Sequence, residues 1–536
     1  MRFGFGGIFV CSVAMVWAAC QCGTPCTTDE QCPQGQICGP AGACVAGSRD
    51  GGPDGGPDGG PDGGPPDGGP PDGGPCVNLQ CRQVPCPAGS PTRLTGSVYD
   101  PSGQVALYNA IVYVPNTSVK PLPTGVTCDR CGSLVSGNPV AIALTGPDGK
   151  FALDNVPIGP NIPLVIQVGK WRRQVLVPFN VQACQTQAIT DVGLLHLPRN
   201  QNEGDIPQMA IATGDADPFE CLLLKLGIST SEMTHPEGSG RVHFYRDNGR
   251  ANDAGYLDVT ELIGDAGTLS KYDVTMLPCI GDEKFDRTDD AVEQAWQRNL
   301  TGYTSSGGRL FTTHYGYEYM AFGPQPIPST ANWTPDRWLS NAPPDPFPFG
   351  VNQSFPKGAA FASWLWDAGA STIFGELEVH ESRHDVSGGV DGGTTGWLSA
   401  YNPANGGVGL TVQHLTWNMP YQPPPLPDGD AGIECGRVVF SDFHVTASAL
   451  IPDAGWNFVF PHDCAGGPMT PQEKALVFML FDVTSCVQSD TTAPKVCTGL
   501  DGLCARNADC CEGLSCVDAN NDPCFEGSCT CKVVIN

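Results

Sequence analysis

The sequence predicts a multidomain chain: a small β-sandwich, then a doubly wound α/β domain, with disulfide-rich modules flanking the pair. Three observations predict it. Short runs of alternating apolar and polar residues, separated by turn residues, fill 92–197, the pattern of half-buried antiparallel strands. Strand-like runs then alternate with helical patterns over 205–488, which implies a parallel sheet covered by helices. Most of the 26 cysteines in the 536 residues crowd toward the two ends, where too few apolar residues are present to form a core.

Residues 1–19 hold one cation, Arg2, a short apolar stretch, then Ala18 and Ala19 before Cys20. This is the layout of a secretory signal peptide and is too short for a spanning helix. Ending on Ala-Ala-Cys, it resembles a bacterial lipoprotein signal. That resemblance implies acylation of Cys20, which becomes the mature N-terminus and anchors the chain in a membrane; an ordinary signal cleaved nearby is the alternative. Residues 20–47 form a cysteine-rich module. Residues 48–75 carry a near-perfect Asp-Gly-Gly-Pro repeat, in which glycine opposes helix, proline opposes sheet and the carboxylates repel, so an extended, disordered spacer is expected. Residues 76–91 are a cysteine-containing connector.

Setting aside Cys11 and Cys20, 24 cysteines remain in three groups of eight: Cys22 to Cys86, Cys128 to Cys486, and Cys497 to Cys531. Even numbers in an exported chain argue for disulfides rather than thiol chemistry, with connectivity left open. The net charge of −28, from 56 acidic against 28 basic residues, argues against nucleic acid as a partner and against electrostatic adhesion to anionic membranes. No second run of about 18 apolar residues follows the signal, so membrane attachment rests on the lipid.

Within 92–197, Leu94–Val98, Ala110–Val114, Pro163–Val168 and Gln174–Val177 read as strands. Thr145 to Leu153 reads as a hairpin with an Asp148-Gly149 turn. Gly96-Ser97-Val98-Tyr99-Asp100, Asn109-Ala110-Ile111-Val112, and Asp148-Gly149-Lys150-Phe151 with Val156-Pro157-Ile158-Gly159 resemble a carboxypeptidase regulatory-like, transthyretin-like domain. The resemblance implies a non-catalytic spacer or binding module.

In 205–488, Gln208–Thr213, Arg241–Tyr245, Tyr272–Leu277 and Arg309–Thr313 read as strands. Phe219–Leu226 reads as a helix ended by Gly227, Asp289–Thr304 as a second, and Thr470-Pro471-Gln472-Glu473 as a capping box opening a third. Tyr272–Pro278, Tyr303 with Gly307-Gly308-Arg309-Leu310, Arg437–Phe440 and Glu473–Leu476 are similar to class I glutamine amidotransferase-like domains of the trehalose-utilisation type, which implies a doubly wound, flavodoxin-like fold. Residues 330–430, rich in Pro, Gly and Trp, read as an insertion with β character. In 495–536, Cys-x6-Cys-x5-Cys-Cys-x4-Cys followed by Cys524, Cys529 and Cys531 is similar to inhibitor cystine knots.

In the amidotransferase family a cysteine nucleophile sits on a sharp turn after a strand, activated by a later histidine and an acidic residue. The matching place here is Phe311-Thr312-Thr313-His314, with His314 where the cysteine would stand. Cys279, after an earlier strand, reads as half of a disulfide, so glutamine hydrolysis by the family mechanism is not expected. His314, Glu318, Asp442 and His444 remain as candidates to line a pocket at the carboxyl ends of the strands. His380-Glu381-Ser382-Arg383-His384 is literally His-Glu-x-x-His, a zinc motif on a helix. Gly375 to Val379 alternates like a strand, however, so His380 and His384 are weak metal candidates. Cys128-Asp129-Arg130-Cys131 reads as a disulfide staple rather than a metal or redox pair. Trp333, Trp338 and Trp397 are candidates for stacking on a saccharide.

The expectation is therefore an exported, lipid-anchored protein of the cell envelope, at the outer membrane or cell surface. It would bind or adhere without catalysis, without a cofactor, to a saccharide or another envelope ligand. The alternative is an extracellular hydrolase, zinc-dependent through His380 and His384 or using the His314/His444 pocket. A structural envelope component is the third class.

Overall fold

The computed structural model describes residues 36–38, 44–46 and 76–533, apart from 88, 130, 132–133, 215, 248–254, 280, 282–289, 337–339, 406–408, 426–431, 447–459, 465, 506–508, 512–513, 519–520 and 525–528. Two units are distinguished, 1–67 and 68–536. In the first, β1 (Gln36–Cys38) and β2 (Cys44–Ala46) form an antiparallel hairpin with Cys38 opposite Cys44. The signal segment, Cys20 and the Asp-Gly-Gly-Pro repeat lie outside the described residues.

The second unit opens with seven strands: β3 (Arg93–Ser97), β4 (Ile111–Pro115), β5 (Pro139–Leu144), β6 (Lys150–Asp154), β7 (Pro163–Val168), β8 (Trp171–Leu176) and β9 (Thr186–Ala188). They make two sheets, ordered β6-β3-β9 and β5-β4-β7-β8. The period-2 pattern does the sorting: in β6, Phe151 and Leu153 are buried while Lys150, Ala152 and Asp154 are exposed. Leu94, Val112, Leu153, Leu164 and Ile166 meet in one core. The Asp148-Gly149 turn differs from the hairpin the sequence suggests, because β5 and β6 belong to different sheets and the turn carries the chain across the sandwich. Gly149 has φ +71°, and a Cβ there would lie 2.8 Å from the Ala106 methyl and 2.9 Å from the Val98 carbonyl oxygen. The Cys86–Cys184 disulfide fixes the entry of β3 to that of β9.

The chain then builds a sheet of 12 strands. Its first half runs through β10 (Met209–Thr213), α1 (Phe219–Lys225), β11 (Met233–Thr234), β12 (Val242–Arg246), α2 (Val259–Ile263), α3 (Ala266–Leu269), β13 (Val274–Leu277), α4 (Ala291–Ser305), β14 (Arg309–Thr313) and α5 (Glu318–Ala321). The second half holds β15 (Ala331–Trp333), β16 (Phe347–Val351), α6 (Pro356–Asp367), β17 (Glu376–Val379), β18 (Val386–Val390), β19 (Thr394–Asn402), β20 (Gly409–Met419), β21 (Gly436–Ser441) and α7 (Pro471–Thr484). Strands β11, β12, β10, β13, β14 and β21 lie side by side and parallel. All but the two-residue β11 divide their apolar side chains between two layers. Met209, Ile211, Met276 and Phe311 join the cluster of α1 and α7, whereas Ala210, Ala212, Leu277 and Leu310 join that of α2, α3 and α4. Both faces are therefore apolar and covered, as parallel strands require.

The sheet is not wholly parallel. Beyond β21 it continues antiparallel through β20, β19, β16 and β17, with β15 and β18 branching from the main path. The Pro-, Gly- and Trp-rich stretch thus widens the same sheet, and Trp397 and Trp417 serve as core. The capping box at α7 forms: Thr470 Oγ1 accepts from the Glu473 amide and the Glu473 carboxylate accepts from the Thr470 amide.

Sandwich and α/β sheet are fused. Lys170, 6% exposed, donates to Asp273 Oδ1 at 2.6 Å and to the Gly125 carbonyl at 2.7 Å. Trp364 Nε1 donates to the Ala106 carbonyl at 2.7 Å. The Cys128–Cys435 and Cys131–Cys486 disulfides cross from the sandwich to the α/β half. The tail adds β22 (Leu503–Cys504), β23 (Ser515–Val517) and β24 (Cys529–Lys532) in the order β22-β24-β23. It is held by Cys497–Cys511, Cys504–Cys516, Cys510–Cys531 and Cys524–Cys529, and it packs on Tyr113 and Val165 of the sandwich.

Beneath the β20–β21 junction lies a buried ion network. Lys357 of α6 meets Asp482 at 2.8 Å and Asp490 at 3.1 Å, and Arg437 of β21 meets the same carboxylates at 2.7 and 2.6 Å. Burial alone would raise the pKa of Asp490, but Arg437 and Lys357 outweigh it and hold the group well below its ordinary value. A carboxylate so depressed stabilises the fold above its unfolded pKa of about 3.9, and that contribution fades as pH falls toward the folded value. Arg437→Met should cost about 3–5 kcal/mol at pH 7, because two buried carboxylates would share one cation. The variant should also show a shallower stability loss between about pH 4 and 2 than the wild type. Urea unfolding at about pH 7, 4 and 2, with disulfides intact, checks both expectations.

Candidate functional site

Four adjacent parallel strands, β10, β13, β14 and β21, each release a polar residue at the carboxyl edge of the sheet. These residues are Asp217, Cys279, His314 and His444, and the edge of the sheet is where open α/β sheets gather ligands. Cys279 follows β13 by two residues and is fully buried. Its amide donates to Thr313 Oγ1 at 3.1 Å, and its sulfur accepts from the Gly281 amide at 3.4 Å. His314 opens the turn out of β14 with φ +47°, a sparsely populated conformation for a residue with a side chain. That turn brings its Nδ1 to 3.1 Å from Cys279 Sγ. The ring lies on the His444 ring, centroids 3.7 Å apart and planes 17° apart.

His444 Nδ1 faces Asp217 Oδ1 at 2.8 Å. A carboxylate only accepts, so Nδ1 carries the proton and Nε2 is left for the sulfur side. Asp217 is fully buried and also accepts from the Val445 amide at 2.9 Å and from Thr313 Oγ1 at 2.5 Å. Burial works against a charged His444, but Asp217 and then the Cys279 sulfur overcome it and lift the imidazole well above its usual pKa. His314 moves the other way: burial first, then the positive charges of His444 and Arg383, push it well below. Charge and burial thus push the two rings in opposite directions, His444 toward its charged form and His314 toward its neutral form. His444, with 12% of its side chain exposed, and half-buried Tyr315 form the open edge.

The other residues singled out from sequence fall elsewhere. Glu318 is buried in the first turn of α5. Asp442 is buried on the Arg383 side, where its Oδ2 accepts from the Asp385 amide at 2.9 Å and its carbonyl from the Arg383 amide at 2.8 Å. Burial and the nearby Asp385 raise its pKa well above normal, Arg383 opposing them. His380 and His384 are not on a helix. They follow β17, with Glu381 at φ +52° between them, and each faces its own carboxylate: His380 Nδ1 lies 3.2 Å from Asp345 and His384 Nε2 3.4 Å from Asp336. Trp397 is fully buried, edge-on to Phe355 at 5.0 Å with Nε1 donating to Thr416 Oγ1 at 2.8 Å, so it offers no face to a sugar. Trp333 packs edge-on to Phe440 at 5.2 Å. Trp338 lies outside the described residues.

Two members of the site escaped the sequence reading. Cys279 is free, not half of a disulfide. The signal was a count: Cys184 pairs upstream with Cys86, which leaves the middle group odd, and the odd member follows a parallel strand directly. Asp217 lies in Asp215-Ala216-Asp217-Pro218 after β10, and nothing in that run separates a site carboxylate from a helix-preceding aspartate. Cys128 and Cys131 do staple, each to a partner in the α/β half. Alkylation of the unfolded, unreduced protein should label the Cys279 peptide, whereas peptides bearing Cys128 and Cys435, or Cys131 and Cys486, should appear cross-linked; peptide mass mapping reads both.

No family model matches the chain, and no curated protein matches it. Weak similarity to solved structures covers parts of it. A ThuA-like protein from Bacteroides uniformis is 11% identical with a TM-score of 0.22, covering 44% of this chain and 82% of its own. A cytoplasmic protein from Salmonella typhimurium is 8% identical with a TM-score of 0.26, covering 51% and 98%. A type II cohesin–X–dockerin complex from Acetivibrio cellulolyticus is 10% identical with a TM-score of 0.14, covering 27% and 74%. The chain is a multidomain, disulfide-rich protein of an oxidising compartment, and no helix among the described residues is long and apolar enough to cross a membrane.

Proposed function

We propose that the protein is an extracellular hydrolase that uses Cys279 as nucleophile in the His314/His444 pocket. The observation that carries this reading is the free cysteine set against two imidazoles, one of them held by a buried carboxylate. Nucleophile, base and orienting acid are the three parts an activated thiol needs. Cys279 Sγ attacks a substrate carbonyl carbon while the thiol proton passes to an imidazole. The leaving group departs with that proton, and water then cleaves the thioester and restores the thiol. Asp217 holds His444 in the tautomer that presents Nε2 and stabilises its charged form.

The same proposal includes acylation at Cys20 and placement at the outer membrane or cell surface, supported by Ala18-Ala19-Cys20 and the acidic glycine-proline spacer. It also takes the α/β half as flavodoxin-like and amidotransferase-related, supported by the parallel strand order and by the sharp turn at His314, where the family's nucleophile would stand. The tail is taken as an inhibitor-type cystine knot. With Cys524–Cys529 set aside, its pairs join first to fourth, second to fifth and third to sixth cysteine.

A second reading, saccharide binding at the surface, is favoured by one patch: Trp366, 50% exposed, stands edge-on to the equally open Phe374 at 6.3 Å. Trp366→Ala should abolish retention on a glycan array if that reading holds.

The hydrolase reading is tested by incubating the mature chain with activated esters and thioesters and searching for an acyl adduct by intact-mass and peptide mass spectrometry. An adduct on Cys279, absent in Cys279→Ser and formed at least about tenfold more slowly in Asp217→Asn, supports it. Equal turnover by wild type and Cys279→Ser would overturn it.

A further inference from the structure

The ligand atoms of Cys279, His314 and His444 lie within 4.8 Å of one another, a grouping that serves a metal ion as well as a nucleophile. We propose that Cys279 Sγ, His314 Nδ1 and His444 Nε2 form a three-ligand site for a thiophilic divalent ion, zinc by its chemistry, which competes with substrate for the sulfur. The competition rests on the hydrolase reading above; the binding rests on geometry alone.

The ligand set suits zinc. One thiolate and two imidazoles match a borderline-soft cation and not magnesium or calcium, which take oxygen ligands. Tetrahedral zinc with Zn–S near 2.3 Å and Zn–N near 2.0 Å sets sulfur and nitrogen about 3.5 Å apart. Cys279 Sγ and His314 Nδ1 are 3.1 Å apart, so a few tenths of an ångström open the seat. His444 is already oriented by Asp217 through its other nitrogen, the carboxylate–histidine arrangement found behind metal ligands. Asp217 in turn is fixed by Thr313 and the Val445 amide. The moving part is therefore His314, whose ring must tilt off the His444 ring so that both planes meet the ion. Three protein ligands leave a fourth position open, the mark of a working rather than a purely structural zinc site. Binding releases to solvent the Cys279 thiol proton and, from the charged form of His444, the Nε2 proton, and leaves a Cys–S–Zn bond, so a zinc-loaded site cannot be acylated.

Outside this pocket the picture differs. The other grouped sulfurs, of Cys504, Cys510, Cys516, Cys524 and Cys529, are spent in disulfides. His380 and His384 each face a separate aspartate.

The test uses cobalt as a spectroscopic stand-in on the full mature chain. The expected result is one Co2+ per Cys279 thiol with a thiolate-to-cobalt charge-transfer band and intense tetrahedral bands, both displaced by zinc. Cys279→Ser should lose the charge-transfer band, His444→Ala should weaken binding at least about tenfold, and a His380→Ala/His384→Ala control should match wild type. On the unaltered protein, which needs no variant to fold, zinc should slow iodoacetamide labelling of Cys279 and chelator should restore it. A spectrum without charge transfer, or labelling indifferent to zinc, overturns the proposal. Charge transfer without any acyl adduct would leave the metal site standing and remove the hydrolase.

Discussion

The buried carboxylate of Asp217 is the constraint around which the functional edge is arranged. It accepts from Thr313 at the end of β14, from His444 beyond β21 and from the Val445 amide, while it sits in the connection from β10 to α1. The ends of β10, β14 and β21 are thus tied to one fully buried charge. A buried carboxylate is tolerated only when its lone pairs are taken up by donors, and the three donors here do that. Thr313 is shared twice over, donating to Asp217 and accepting from the Cys279 amide, so the carboxylate indirectly sets the position of the sulfur as well. The stacked imidazoles, the tautomer of His444 and the placement of the thiol follow from that one anchoring.

A similar economy governs the far side of the sheet. Lys357, Arg437, Asp482 and Asp490 come from α6, β21, α7 and the segment after it. Desolvating four charges is costly unless geometry is good, and Arg437 meets it with hydrogen bonds to Asp482, Asp490 and the Asn418 side chain. Such a network penalises any packing of α7 that mismatches the charges. It thereby specifies how the antiparallel extension seats on the parallel half, where apolar packing alone would be less discriminating.

Much of this architecture was legible because local rules and global fold agree. Alternation marked β6, and the Thr470–Glu473 pair marked the start of α7. What failed depended on long-range pairing. The Asp148-Gly149 turn is chemically a hairpin turn, but which sheet each flanking strand joins is decided by partners elsewhere. The His-Glu-x-x-His string carries a helix motif on a segment whose neighbours alternate like a strand, and the backbone followed the neighbours. Trp397 was sorted by burial, which composition does not reveal. His314 and His444 were candidates from the strand-end rule, whereas Cys279 was hidden by parity, since twenty-odd cysteines in an exported chain make each one look paired. Asp217 was hidden because a lone aspartate after a strand has many ordinary uses.

The two disulfides that join sandwich to sheet close loops of 307 and 355 residues, and this fixes a timetable for biogenesis. A chain exported N-terminus first presents Cys128 and Cys131 long before Cys435 and Cys486 emerge. Through that interval the early thiols have only wrong partners, Cys279 among them. A mispairing with Cys279 would consume the sulfur that the site keeps free. Correct maturation therefore requires that the parallel core close over Cys279 before oxidation of the late cysteines is complete, or that an oxidoreductase reshuffle the early bonds. The order of synthesis, folding and oxidation becomes part of what preserves the thiol.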